Sequence, residues 1–506
     1  MWVAWIGLGP LAPTTGMAGD LVDETAAMEW RGTAIGVDFG VGVGGVGDVD
    51  CDGFDDVAVA DQVYADHGLI HLFRGSASGV EAVETLPPLV GRSKGEGTFG
   101  NAFAAAGDVN GDTCVDVVVA DPGDGEVWWF SGGTDPAHDR QSVDLIVTSS
   151  VDGAGDTNGD GFADVMAGST YGWATLLPGS SAGLTAASEV RISDASAPSL
   201  GQRVGGLGDL DGDGLDDVAA TAGDEGMWVY RGDATLGVDP SAWTLTAPDW
   251  FWAVSGAGDV NGDGYEDIVG GLPFAAGYQG KAMVFYSSAS GVRYSDSTTL
   301  YGSDPSGEFG IDVDGLGDVD GDGFSEVVIG AASAGAAPGT AAARVYPGSA
   351  AGIVSADCQT LWSPANSTGT NAGYANFGNA VRAAGDPNGD GNRDLIVGGW
   401  SYDDNTGRAY LFSGIHGDYS PPEDTGEPAD SGSGTDTAGD TGDDIYTHDT
   451  SPPPDSGLDS GGEPDVPQRE YVAPGCGCAS GAAREGASSG LLGALGVAGL
   501  RRKRRG

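Results

Sequence analysis

Seven times along this 506-residue chain, a Gly precedes an acidic loop of one pattern. The loop has Asp at its first position, Asp or Asn at the third, Asp at the fifth and Asp or Glu at the ninth. The copies begin at Asp48, Asp108, Asp156, Asp209, Asp259, Asp318 and Asp386, a spacing of about 56 residues. In the fifth copy, "GDVNGDGYED" (Gly258–Asp267), four carboxylates crowd together with no basic residue among them. A period of this length means that each repeat is one small structural unit that buries its apolar face only by stacking on its neighbours. That requirement restricts the fold more than any compositional figure does.

Further landmarks keep the same register. Nine residues before each first Asp stands an apolar residue: Phe39, Phe99, Val147, Leu200, Trp250, Phe309 and Phe377, followed by Gly in five copies. After each loop comes a short apolar run such as "DVAVAD" or "DLIVGG", and then a more aromatic run such as "LIHLFRG" or "EVWWFSG". Both are short, β-branched or aromatic, and bounded by Gly or Pro, which is the pattern of strands. A weaker segment leads to the next copy, so each repeat holds four strands, the content of one propeller blade. The expected fold is all-β: a seven-bladed β-propeller over residues 24–416, with calcium-binding loops, followed by a disordered acidic stalk. The last repeat ends after its third strand, at "RAYLFSG". The segment "AMEWRGTAI" ahead of the first repeat is expected to supply the missing outer strand and hide an exposed edge. An open solenoid is the alternative.

The loop positions match the needs of a hard cation. Alternate spacing turns successive donors inward, and a Gly at the sixth position permits the sharp bend. The expected ligands are Asp48, Asp50, Asp52 and Asp56 in the first copy, and Asp108, Asn110, Asp112 and Asp116 in the second. They are Asp156, Asn158, Asp160 and Asp164 in the third, and Asp209, Asp211, Asp213 and Asp217 in the fourth. The fifth offers Asp259, Asn261, Asp263 and Asp267; the sixth, Asp318, Asp320, Asp322 and Glu326; the seventh, Asp386, Asn388, Asp390 and Asp394. The seventh position of each adds a backbone carbonyl: Phe54, Cys114, Phe162, Leu215, Tyr265, Phe324 and Asn392. All donors are oxygen, which favours Ca²⁺ over zinc or copper, and up to seven ions are expected. An EF-hand is excluded, because its position-12 Glu is replaced by Val59 in the first copy and Ala220 in the fourth. Turns that merely face water are the competing reading, since turns favour Asp, Asn and Gly. The second copy, with Thr113 in place of the Gly, and the seventh, with Pro387 and Arg393, are expected to bind most weakly.

Phe-Gly, nine residues, a D-x-[DN]-x-D-G-x-x-D loop and a Gly-x-Pro-like close together resemble the FG-GAP repeat of the integrin α-subunit propeller. The resemblance implies Ca²⁺ held between the first and second strands of a blade and partners bound on the opposite face. It makes Tyr64, Phe274, Tyr278, Trp400 and Tyr402 candidate contacts there. The third copy, with Val147-Thr148, and the fifth, with Trp250-Phe251, depart from the Phe-Gly landmark.

Outside the repeats, "MWVAWIGLGPLAPTTGMAGD" resembles a secretory signal over residues 1–18, although it lacks a basic start. Residues 417–473 form a Pro/Gly/Ser/Thr linker; between 417 and 470 it carries 15 acidic residues and one Arg, a composition that stays extended. Residues 474–506, with "PGCGCASG", "GLLGALGVAGL" and "RRKRRG", resemble the C-terminal sorting tags of myxobacterial surface proteins. The eleven apolar residues would span about 16 Å as a helix, roughly half a bilayer core. A formal net charge of −54 argues against a nucleic-acid partner. Five Cys are too few and scattered for a disulfide framework.

Three motifs are weaker than they look. "GSSAG" at 179–183 matches a nucleophile elbow but aligns with "GSASG" and "GSAAG" in other repeats. "RGD" at 231–233 sits where the first repeat has "RGS", and Asn366-Ser367-Thr368 is a glycosylation sequon by pattern only. The expected function is that of a secreted or surface-anchored, monomeric calcium propeller. It would act as a non-enzymatic adhesion or recognition module for an extracellular protein or polysaccharide, touching membrane only through its tail. A propeller-based polysaccharide lyase or hydrolase, or a structural matrix spacer, is the alternative.

Overall fold

A computed structural model describes residues 21–414, apart from 23–25, 33–37, 62–67, 87–98, 101, 134–139, 146–149, 236, 240–242, 247–248, 333–341, 357, 363–375 and 402–405. The candidate signal, the linker, the C-terminal tail, the Val147-Thr148 landmark and the sequon all lie outside the described residues.

Seven four-stranded antiparallel sheets make up the described chain, with one two-residue hairpin added in the fourth repeat. Within the first six sheets the strands follow chain order from the inside outward; in the seventh the outermost strand comes from the start of the chain. The inner strands are Val43–Gly47, Phe103–Gly107, Ser150–Gly155, Val204–Gly208, Ala253–Gly258, Phe309–Gly317 and Ala380–Gly385. Each inner strand packs against those of the neighbouring blades, and the first packs against the last. The ring is therefore closed.

The second strands, such as Asp56–Asp61 and Asp394–Gly399, are buried along their whole length. A blade lies face to face with two neighbours, so its second strand needs apolar side chains on both sides. That is why these runs do not alternate with polar residues. The core accordingly lies between blades: Val46, Ile70 and Leu72 of the first sheet pack with Phe99, Val117 and Phe130 of the second. Phe39, Phe99, Leu200, Phe309 and Phe377 are buried as the nine-residue spacing implies. Burying a ring of this size contributes about 1.5–3 kcal/mol.

The fifth blade corrects one landmark. Trp250 is 37% exposed, and its neighbour Phe251 fills the core position instead, against Phe285. The next inner strand starts two residues after Phe251, against three after Phe377, so the spacing is one residue shorter here. The Gly of the Phe-Gly pair serves close packing. At Gly378 (φ +84°) an added Cβ would stand 2.3 Å from the Ala342 carbonyl oxygen of the sixth blade.

Met28–Arg31 pairs with Arg408–Phe412 and completes the seventh blade, as expected of "AMEWRGTAI". Trp30 from this strand stacks on Phe73 of the first blade at 4.8 Å. Just upstream, the Gln359 side chain accepts N–H bonds from Leu21 and Val22 and donates to the Val22 carbonyl. Both ends of the described chain are thus fastened at the seam.

Inner strands rich in Gly and Ala surround a central channel of about 640 Å³. Its charged lining, Asp152, Arg203, Asp312, Asp314 and Arg382, comes from the third, fourth, sixth and seventh blades. Asp314 accepts from Ser255 Oγ (2.6 Å) and Ala383 N (2.9 Å), bridging the fifth, sixth and seventh blades. Asp312 accepts from Val381 N (2.9 Å) and pairs with Arg382. These carboxylates pin one inner strand to the next.

Candidate metal centre

Each acidic loop joins an inner strand to its second strand, so all seven lie at one end of the ring. The fifth shows the local logic. Asp259 accepts backbone N–H bonds from Gly262, Asp263 and Gly264 at 2.7–3.1 Å. Asn261 accepts from Asp263 N (2.9 Å), and Asp263 accepts from Tyr265 N (3.1 Å). Short acidic side chains that bond the backbone a few residues ahead set the turn, and Gly264, at φ +90°, takes the left-handed conformation it requires.

The ninth position is the buried one. Asp56, Asp116, Asp164, Asp217, Asp267, Glu326 and Asp394 are all fully enclosed. Six of them accept two backbone N–H bonds, one from the second residue of the loop and one from beyond the third strand; in the seventh loop the second residue is Pro387, and Asp394 accepts from Gly414 N and the Asn388 amide instead. For Asp267 these come from Val260 (3.2 Å) and Ser287 (2.8 Å). Burial outweighs those bonds and raises the carboxyl pKa to about 8 in Asp267, Glu326 and Asp394. It raises Asp56 and Asp217 to about 7, and Asp116 and Asp164 to about 6. Glu326, the longer donor, still reaches Val319 N at 2.8 Å.

In three loops the carboxylates converge: one oxygen from each of Asp48, Asp50 and Asp52 lies within 4.8 Å of the others. Asp209, Asp211 and Asp217 do the same, as do Asp318, Asp320 and Glu326. Asp50 Oδ1 and Asp211 Oδ1 are buried with no hydrogen-bond partner. An orphaned carboxylate oxygen beside other oxygens is costly without a cation and suited to one. The residues present therefore fit a hard divalent ion. In the second, third and seventh loops the third-position amide donates to a carboxylate: Asn110 to Asp112 (2.9 Å), Asn158 to Asp164 (3.2 Å), Asn388 to Asp394 (3.3 Å). Rotating that amide would present its oxygen instead.

The loops differ in ways only partly readable from sequence. Thr113 adopts φ +78° where the other six loops have Gly, so the second loop carries backbone strain. Arg393 does not lie along its own loop's ligands; its guanidinium rests against Gly317 of the sixth. Arg74 Nη1 pairs with Asp50 Oδ2 at 2.8 Å, and Arg231 Nη1 lies 3.6 Å from Asp211 Oδ2. Arg231 also pairs with Asp239, so the "RGD" arginine is engaged within its own blade.

Adjacent loops are stitched together. At four of the seven junctions the eighth-position N–H of one loop donates to the first-position carbonyl of the loop before it: Val115 to Asp48 (3.1 Å), Ala163 to Asp108 (2.9 Å), Asp216 to Asp156 (3.2 Å) and Ser325 to Asp259 (2.9 Å). The seventh-position side chain packs on the fourth-position Gly of that same neighbour: Phe54 on Gly389, Phe162 on Gly111, Leu215 on Gly159, Tyr265 on Gly212, Phe324 on Gly262. Between the first and second loops a Cys51–Cys114 disulfide takes this place, with Cα atoms 5.3 Å apart. The crosslink was not expected from five scattered Cys. The signal was positional: Cys51 replaces the fourth-position Gly and Cys114 the seventh-position bulky residue, at the two positions that face each other.

The Ser-Gly turns after the third strands are one repeated device. Ser180 Oγ donates to the Gly183 carbonyl (2.9 Å), as Ser76 does to Gly79 and Ser349 to Gly352. "GSSAG" belongs to this series. At the opposite end of the ring, Phe274 and Tyr278 join Trp250 and Trp252 in an aromatic cluster beside the channel, with centroids 5.3–6.1 Å apart. Trp400 is half-buried. Tyr64 and Tyr402 lie outside the described residues.

Crystal structures of BBS1N in complex with ARL6DN, soaked with mercury and with lead, are similar at 12% and 10% identity. The matches cover 72% and 79% of this chain and 88% and 97% of those chains, with TM-scores of 0.44 and 0.47. Residues 209–270, from the fourth acidic loop into the second strand of the fifth blade, match the family model for an FG-GAP-like repeat. One stretch of the ring thus carries an FG-GAP-like repeat, and its acidic loop recurs in the remaining five blades.

Proposed function

We propose that the protein is a calcium-binding β-propeller, secreted or displayed on the bacterial surface, that serves as a non-enzymatic recognition or adhesion module for a protein or polysaccharide. The observation that carries the calcium reading is the recurrence of oxygen donors at the same positions of seven loops, with carboxylate oxygens converging in three of them and buried, unpartnered oxygens at Asp50 and Asp211. Calcium would be held by the side chains at the first, third, fifth and ninth positions. It would supply positive charge to carboxylates that burial otherwise disfavours. Because neighbouring loops are bonded at four of the seven junctions, neutralising the loops would also firm the ring.

Export is supported by the Cys51–Cys114 disulfide, since such bonds persist in oxidising compartments. Recognition is supported by the aromatic cluster of Trp250, Phe274 and Tyr278 at the end away from the acidic loops, with Tyr278 52% exposed. Aromatic side chains supply large contact area at low entropic cost. A glycan array probed with the full-length protein, with and without EDTA, tests this reading. Calcium-dependent retention of intact glycans is expected. Release of shortened oligosaccharides would instead assign a cleaving enzyme, and no retention in either condition would leave the matrix-spacer reading.

A further inference from the structure

The residue just before each ninth-position hydrogen bond partner occupies one equivalent place, at the end of the third strand. Gly75, Gly132, Gly179, Gly232, Ser287, Gly348 and Gly414 donate to the buried ninth-position carboxylates. Their predecessors are Arg74, Ser131, Pro178, Arg231, Tyr286, Pro347 and Ser413. The two arginines occur only in blades whose loop has Asp rather than Asn at the third position, and each reaches that Asp. The side chains of the Arg74–Asp50 pair are only 20% and 10% exposed, so its charge is poorly screened by water.

We infer that Arg74 and Arg231 are built-in counter-cations that weaken divalent-ion binding at the first and fourth loops. The inference rests on the loops being cation sites. Arg74 brings the first loop's formal ligand charge from −4 to −3, the value of the loops with Asn at the third position; Arg231 does so in part, because it is shared between Asp211 and Asp239. A guanidinium keeps its charge at any working pH, so it repels an incoming ion permanently. It also occupies Asp50 Oδ2 directly, leaving Oδ1 to the ion. The arrangement lets these two loops hold together at low calcium, at a cost in affinity. In the sixth loop, which also has Asp320 at the third position, the equivalent residue is Pro347.

Calcium titration of the chelator-stripped full-length protein tests this, comparing wild type with the Arg74→Ser/Arg231→Ser double variant. Serine is the residue at this place in the second and seventh blades, so the fold accommodates it. Removing the charges should tighten one equivalent of Ca²⁺, at the first loop, by about tenfold, and a second, at the fourth loop, by less, because Asp239 already shares Arg231. The melting temperature should fall in EDTA but much less in calcium, whereas loss of a merely structural ion pair would lower both equally. An Arg74→Lys/Arg231→Lys control should keep the wild-type isotherm. Calcium binding by wild type with an unchanged isotherm in the Ser variant would overturn the arginine assignment alone. Absence of binding in both proteins would overturn the reading of the loops as cation sites, and the assignment with it.

Discussion

Asp267 and its six equivalents are held enclosed by backbone N–H groups, yet burial pushes their pKa values well above the ordinary 3.8 for Asp and 4.5 for Glu. A carboxyl whose folded pKa is raised binds more protons in the native state than in the unfolded one, so ionising it costs stability. In EDTA, melting temperature should therefore fall as pH rises from about 4.5 through 8, the window between the unfolded values and the highest folded ones. With saturating calcium the slope should reverse, because the ion favours the ionised form. Thermal melts across that range check both signs. A metal-free protein that gained stability toward pH 8 would contradict the burial of these groups. The first, third, fifth and ninth positions were legible in the sequence because oxygen donors repeat there. Which donor is buried, and which loops carry an arginine in reach, were not, because both depend on the end of a strand some 20 residues away.

Blade elements were legible where they repeat and obscure where a blade departs. The wholly buried second strands and the Phe-Gly landmarks follow from packing between sheets. In the fifth blade the fixed nine-residue count pointed to Trp250, while a one-residue shorter lead into the strand puts Phe251 in the core. Counting from the acidic loop cannot detect a deletion on the far side of the strand. The Cys51–Cys114 bond was hidden for a related reason: its partners are 63 residues apart, and only the contact between fourth and seventh positions brings them together. Closing a loop of that length restricts the unfolded chain, a stabilisation of about 4 kcal/mol. Reduction with dithiothreitol should lower the unfolding free energy by about that amount in denaturant titrations. An unchanged midpoint, with both thiols shown to be free, would remove the crosslink as a source of stability.

At the scale of the whole ring, closure depends on the N-terminal strand Met28–Arg31, and neighbouring loops are joined by backbone bonds at four of the seven junctions. The strand was foreseeable because the last repeat is one strand short; the Gln359 clamp on Leu21 and Val22 was not, since nothing in the repeat pattern marks it. Channel carboxylates tie inner strands at the centre, while the acidic loops lie together at one end. On the calcium reading, that end is a ring of mutually repelling carboxylates without cations and should gain stability when they bind. For sites with Kd of roughly 0.1–1 mM, a tenfold excess of ion stabilises each by about 1.4 kcal/mol. The most direct measurement is calorimetric titration of Ca²⁺ into the chelator-stripped full-length protein, paired with its melting temperature in calcium and in EDTA. Uptake of several ions, up to seven, with a clear rise in melting temperature is predicted. No binding heat together with a melting temperature indifferent to EDTA would contradict it.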